Sequence, residues 1–136
     1  MEDDDFIDQG SIVWTDLTVP DAKSVAKFYA AVVGWEMDAV DMDGYDDFEM
    51  LTPSGETAAG ICHARGINAD MPPQWMLYVA VPDLNAAAKR CVEQGGKVVT
   101  GPRDLDGAPM CVIRDPAGAV IALYEVADTE EEDDGG

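Results

Sequence analysis

One histidine, three cysteines and a crowd of aspartates are the residues of this 136-residue chain whose types could bind a metal or move a proton. His63 is the only histidine, and Cys62 adjoins it. Adjacent residues on a strand point to opposite faces, so these two cannot chelate one ion together. Cys62, Cys91 and Cys111 are odd in number and contain no C-x-x-C spacing, which argues against both a disulfide framework and a zinc knuckle. Cys91 lies in a helical pattern and Cys111 in an apolar strand, where cysteine behaves as a small buried hydrophobe. Asp41, Asp43, Asp46 and Asp47 crowd a turn, but their spacing fits no calcium loop. There is no Ser-His-Asp set, phosphate-binding loop or dinucleotide fingerprint. What the chain can do chemically therefore depends on which elements hold its scattered carboxylates, phenols and single imidazole.

The bulk composition narrows the partners. The chain has 28 acidic residues against 8 basic ones, a net charge of -20. Nucleic acid and anionic membrane surfaces are excluded as partners, because no basic patch can neutralise phosphates. Two readings of the acidity stand: an acidic face for a basic partner, or adaptation to multimolar intracellular salt, which screens self-repulsion within about 3 Å. The acids are spread along the chain and lysine is scarce, which favours the halophilic reading and expects a fold that loosens at low salt. Hydrophobic content of 47% supports a packed globule. No apolar run approaches the roughly 20 residues of a membrane span. The start Met1-Glu2-Asp3-Asp4-Asp5 lacks the basic and apolar stretches of a signal peptide, so a cytoplasmic location is expected.

Residues 1–10 and 127–136 read as acidic tails. Ile12 to Val19 alternates as a strand. Asp21 caps a helix over Ala22 to Val33, with Val25, Phe28, Tyr29 and Val32 on one face and Gly34 as its stop. Strands follow at about Trp35–Met42, Tyr45–Leu51 and Thr57–Ala64, separated by Asp43-Gly44 and Pro53-Ser54-Gly55. Residues 67–74 are a linker. The order then restarts: a strand over Trp75–Val81, a helix over Leu84–Gln94, and strands at Lys97–Thr100, Met110–Arg114 and Val120–Val126. Gly101-Pro102, Asp106-Gly107 and Pro116-Ala117-Gly118 supply turns.

The restart is a repeat. A shift of 62 aligns Val19-Pro20-Asp21 with Val81-Pro82-Asp83, Ala26-Lys27 with Ala88-Lys89, and Gly34 with Gly96; a shift of 63 aligns Pro53 with Pro116 and Gly55 with Gly118. The matches fall on a strand end, a helix cap, a helix stop and a hairpin turn, which are positions a shared backbone forces to agree. The expected class is α+β: two paired βαβββ modules, at 11–66 and 75–126, forming curved mixed sheets around a concave cavity. Small ligands bind in cavities of that kind.

With Asp16 to Asp21 (D-L-T-V-P-D), Phe28-Tyr29, Gly34-Trp35, Tyr78 to Asp83 (Y-V-A-V-P-D), Gly95-Gly96 and Asp115 to Gly118 (D-P-A-G), the chain resembles the vicinal oxygen chelate superfamily of glyoxalases, bleomycin-resistance proteins and extradiol dioxygenases. The resemblance covers residues 11 to 126. The contexts Val13-Trp14 and Pro72-Pro73-Gln74-Trp75 are similar to small glyoxalase-like proteins. The resemblance implies four metal-ligand positions on the concave face. They fall on Trp14, Met76, Ala122 and, in the first module's last strand, Ala59 or, with a slipped register, Gly60. These side chains supply no hard divalent site, so no metal or other cofactor is expected and the ancestral site reads as lost.

Alternation from those positions gives the cavity wall that the resemblance implies. Trp14 brings Ile12, Asp16 and Thr18; Met76 brings Tyr78 and Ala80; Ala122 brings Val120 and Tyr124; Ala59, if inward, brings Ile61 and His63. The expected ligand-binding residues are Trp14, Asp16, His63, Met76, Tyr78, Ala122 and Tyr124. Two functions compete. One is metal-free binding of a small apolar or aromatic molecule, with Asp16 pairing any cationic group. The other is a metal-independent or atypically metal-dependent isomerase or lyase acting on a small carbonyl compound. There Asp16 or His63 is the base and Tyr78 or Tyr124 the proton donor. The resemblance also implies a homodimer, with the modules paired within one chain or exchanged between two.

Overall fold

A computed structural model describes residues 7–65, 72–105 and 108–126. The expected acidic stretches at 1–6 and 127–136, most of the linker and the Asp106-Gly107 turn lie outside the described residues. The strands are β1 (Ile12–Val19), β2 (Glu36–Asp41), β3 (Asp46–Leu51), β4 (Thr57–His63), β5 (Trp75–Val81), β6 (Lys97–Leu105), β7 (Ala108–Arg114) and β8 (Val120–Glu125); the helices are α1 (Ala22–Val33) and α2 (Leu84–Glu93). The class is α+β, and each half reads strand, helix, three strands. By their internal contacts, the described residues from Thr15 to Met76 form one compact unit, and those of 7–14 with those from Leu77 onward form a second.

The first unit orders its strands β2-β3-β4-β1, with β1 parallel to β4 and the other pairs antiparallel. Local chemistry places α1 against it. The Asp21 carboxylate accepts from the Ser24 amide at 3.2 Å, and Gly34, at φ 89°, closes the helix by donating to the Ala30 carbonyl. Ala22 and Ala26 are fully buried and pack with Leu17, Phe48, Met50 and Ile61. Val25 and Tyr29 pack against this core as expected, but the other two residues of the expected face do not. Phe28 and Val32 are 57% and 65% exposed, because the small alanines let the helix seat closely and the larger side chains fall outside the contact. At the far end of α1 the Trp75 indole donates to the Tyr29 hydroxyl at 3.1 Å, and Tyr29, Trp35 and Trp75 meet edge to face or tilted, tying the start of β5 to the helix.

The second unit orders its strands β5-β8-β7-β6, with β5 parallel to β8. Asp83 caps α2 by accepting from the Ala86 amide at 3.1 Å. Val81, Leu84, Cys111 and Leu123 form the core beneath α2. One element is longer than its sequence suggests. Gly101-Pro102 reads as a turn, yet β6 continues to Leu105, and its residues Arg103 to Leu105 pair with Ala108 to Met110. The residues between Thr100 and Arg103 are absorbed as a register shift rather than a reversal.

Cys62, Cys91 and Cys111 form no disulfide. Burial pushes the Cys111 thiol up from 9.0 to about 11, with Cys91 beside it adding to the effect. The unfolded chain thus ionises at this thiol before the folded one does. The contribution is intact below pH 9 and is lost as pH rises towards about 11. In denaturant titrations, the stability difference between the wild type and Cys111→Ala is expected to shrink over that window; a difference independent of pH would contradict the assignment.

Candidate functional site

The pairing fixes which side chains share a face. In the first unit Leu17, Ile61 and Phe48 are neighbours across β1, β4 and β3, all on the α1 side, and Met50 pairs with Ala59 on that same side. Asp16 pairs with Gly60 and Thr18 with Cys62 on the opposite face. The expectation that Ile61 and His63 share the face of Asp16 is therefore corrected: of the two registers for this strand, Gly60 and not Ala59 stands beside Asp16. The physical reason is the bulge where Met50 pairs with Ala59 but Leu51 pairs with Thr57. It takes up the single residue by which the hairpins differ, so the strands themselves follow the 62-residue shift. Asp16 with Gly60 corresponds to Tyr78 with Ala122.

His63 corresponds under that shift to Glu125, whose carboxylate accepts from the Leu84 amide at the start of α2 at 2.8 Å. His63 itself is engaged by Asp47. The Asp47 carboxylate accepts from the His63 amide at 2.9 Å, and the Nδ1 contact to the same oxygen is a long 3.4 Å. The Tyr45 ring lies edge-on to the imidazole at 5.5 Å, and the Arg65 guanidinium stacks 4.1 Å over Tyr45. Asp47 thus turns to His63, while the Asp41 carboxylate accepts from the Asp43 amide. Among the described residues, no three His, Cys, Asp or Glu side chains gather as a metal site.

The second unit brings several expected residues together. On its face opposite α2, Tyr78, Ala122, Val112 and Thr100 stand in one row across β5, β8, β7 and β6. The next row is Ala80, Tyr124, Met110 and Arg103. Tyr78, Ala80, Met110, Val112 and Ala122 are buried, whereas Tyr124, Thr100 and Arg103 are half-buried. This gives an apolar floor with polar groups where it reaches solvent. Met76 is buried and its carbonyl accepts from the Thr15 hydroxyl at 3.0 Å. Trp14 is half-buried and Asp16 is 8% exposed; Trp14, Asp16 and Tyr78 are each engaged with other groups. Arg103 escaped the sequence reading because Gly101-Pro102 resembled the end of a strand, whereas Thr100, Met110 and Val112 lay on expected strands whose faces were not assigned.

The positions that the resemblance implies for metal ligands carry an indole at Trp14, a thioether at Met76, a methyl at Ala122 and, in the register observed beside Asp16, no side chain at Gly60. Hard divalent ions take oxygen and imidazole donors, so this set does not fit one. No helix among the described residues is long and apolar enough to cross a membrane.

Residues 13–124 match the family described as "Glyoxalase-like domain". A Mycobacterium tuberculosis protein named "Putative glyoxylase CFP32" is 35% identical over 128 residues, covering 86% of this chain and 46% of its own length. The "Anthracycline biosynthesis protein DnrV" of Streptomyces peucetius is 31% identical, covering 85% of this chain and 46% of its own. The chain thus spans about half the length of the curated relatives it matches. The crystal structure of methylmalonyl-CoA epimerase from Mycobacterium tuberculosis superposes with a TM-score of 0.51 at 20% identity, over 94% of this chain and 97% of that one, a likeness of fold. With strand order, repeat and family match in agreement, the chain belongs to the glyoxalase-like domain family of the vicinal oxygen chelate superfamily.

Proposed function

We propose that this chain binds a small molecule with an apolar or aromatic body on the second unit's face opposite α2, and does so without a divalent metal. The observation that carries the reading is the double row of Tyr78, Ala122 and Val112 beside Ala80, Tyr124 and Met110, edged by half-buried polar groups. Such a face suits a flat ligand fixed by a few hydrogen bonds. One relative is named for anthracycline biosynthesis, which is consistent with this reading. Tyr78, Ala80, Met110, Val112 and Ala122 are buried already, so a ligand meets this face first at its half-buried edge of Tyr124, Thr100 and Arg103. The polar groups at the edge therefore decide whether binding is measurable. In this reading Tyr124 supplies one of them, and the metal-ligand positions serve as packing.

The test is elemental analysis of protein purified without chelator, followed by melting curves with manganese, cobalt, nickel and zinc, and then with aromatic ligands. We expect no stoichiometric metal, no metal-dependent rise in Tm, and a rise with at least one aromatic ligand. A bound metal at one equivalent with a matching rise in Tm overturns the metal-free reading and makes His63 and Asp47 the side chains to substitute.

A further inference from the structure

Resting on that reading, we propose that the ligand carries an anionic group, a carboxylate, and that Arg103 recognises it. Gly101 is the residue that makes this possible. Its φ of +94° and the register shift between Thr100 and Arg103 form a bulge in β6. In a regular strand, residues three apart point to opposite faces. The bulge adds one residue and restores them to the same face, and the Arg103 guanidinium indeed donates to the Thr100 hydroxyl. Bulges re-aim side chains in this way beside binding sites. Here the result is a guanidinium in the row of Met110 and Tyr124, at the edge of the apolar floor.

Composition makes the placement informative. With 8 basic residues against 28 acidic ones, a cation on an apolar face is not a by-product of a basic surface. A half-buried guanidinium loses hydration that an anion restores, and its planar fork matches a carboxylate with two parallel hydrogen bonds. The Thr100 hydroxyl takes one donor of that fork, and among the described residues no carboxylate forms an ion pair with Arg103. The chain's net charge of -20 opposes entry of any anion and opposes a dianion twice as strongly, which favours a carboxylate over a phosphate. The Tyr124 phenol stands in the same row as a second donor.

The experiment uses the whole chain at one fixed salt concentration with benzoate, 3-phenylpropionate and 4-phenylbutyrate, each paired with its primary amide, measured by calorimetry and melting shift. For at least one pair the acid is expected to bind about tenfold or more tighter than the amide. In Arg103→Gln the acid should fall to the level of the amide, so that the ratio of the two affinities approaches one. Arg103→Lys should keep part of the preference, as a point charge without the fork. Amides that bind as well as acids, or an Arg103→Gln protein that keeps the preference, overturn the inference while leaving the small-molecule reading standing. Failure of every acid and amide to bind overturns both.

Discussion

Replacing Ile61 with alanine is expected to lower Tm by roughly 10 °C and to leave the affinity for the aryl ligands unchanged. Ile61 has no exposed surface and packs on Leu17, Phe48, Ala22 and Ala26, so the truncation leaves a cavity beneath α1. Isoleucine-to-alanine changes at such sites cost about 2–5 kcal/mol. For a chain of this length each kcal/mol is worth roughly 3–4 °C in Tm. The prediction separates two registers. With Ile61 on the ligand side, as alternation from Ala59 implies, the same change would weaken binding and cost little stability. Loss of ligand affinity with an unshifted Tm would therefore show that the face assignment of β4 is wrong.

That register is where the sequence was least legible. The helix boundaries could be read directly, because Asp21 and Asp83 are good N-caps and Gly34 tolerates the positive φ that ends α1. The faces of β5 and β8 were also readable: Tyr78 pairs with Ala122, and alternation carries Tyr124 with them. The one-residue difference between the repeats was visible too, but its position was not. An alanine in a bulge has the same propensity as an alanine in a ladder, so nothing in Thr57-Ala58-Ala59-Gly60 marks where the register changes. A wrong choice there flips every later side chain, which is why Ile61 and His63 moved to the other face together. In β6 the difficulty was the reverse. Gly101-Pro102 announces a break in the chain's direction, and only the hydrogen-bonding partners across the sheet distinguish a bulge from a turn. The exposed Phe28 and Val32 of α1 show a third limit, since an apolar stripe does not say which of its edges makes contact.

Gly101→Ala carries the second large expectation, a loss of about 2–4 kcal/mol, or roughly 7–14 °C in Tm. Two costs combine. A side chain at φ +94° is strained by about 1–2 kcal/mol. Its Cβ would also lie 2.9 Å from the Met110 carbonyl oxygen and 3.1 Å from the Cys111 Cα, backbone that cannot swing away as a flexible side chain would. Gly95→Ala is the matched control: its φ is +95°, but its Cβ would meet only the Pro116 ring at 3.8 Å, an ordinary contact. The control should lose only the conformational part, about 1–2 kcal/mol. The excess in Gly101→Ala then measures how tightly β6 and β7 close around the bulge. Because the bulge is what turns Arg103 onto the floor, the preference for an acid over its amide should fall in Gly101→Ala and survive in Gly95→Ala. Equal Tm losses in the two variants would mean the strand yields at Gly101. An acid preference retained in Gly101→Ala would mean that Arg103 reaches its ligand without the bulge.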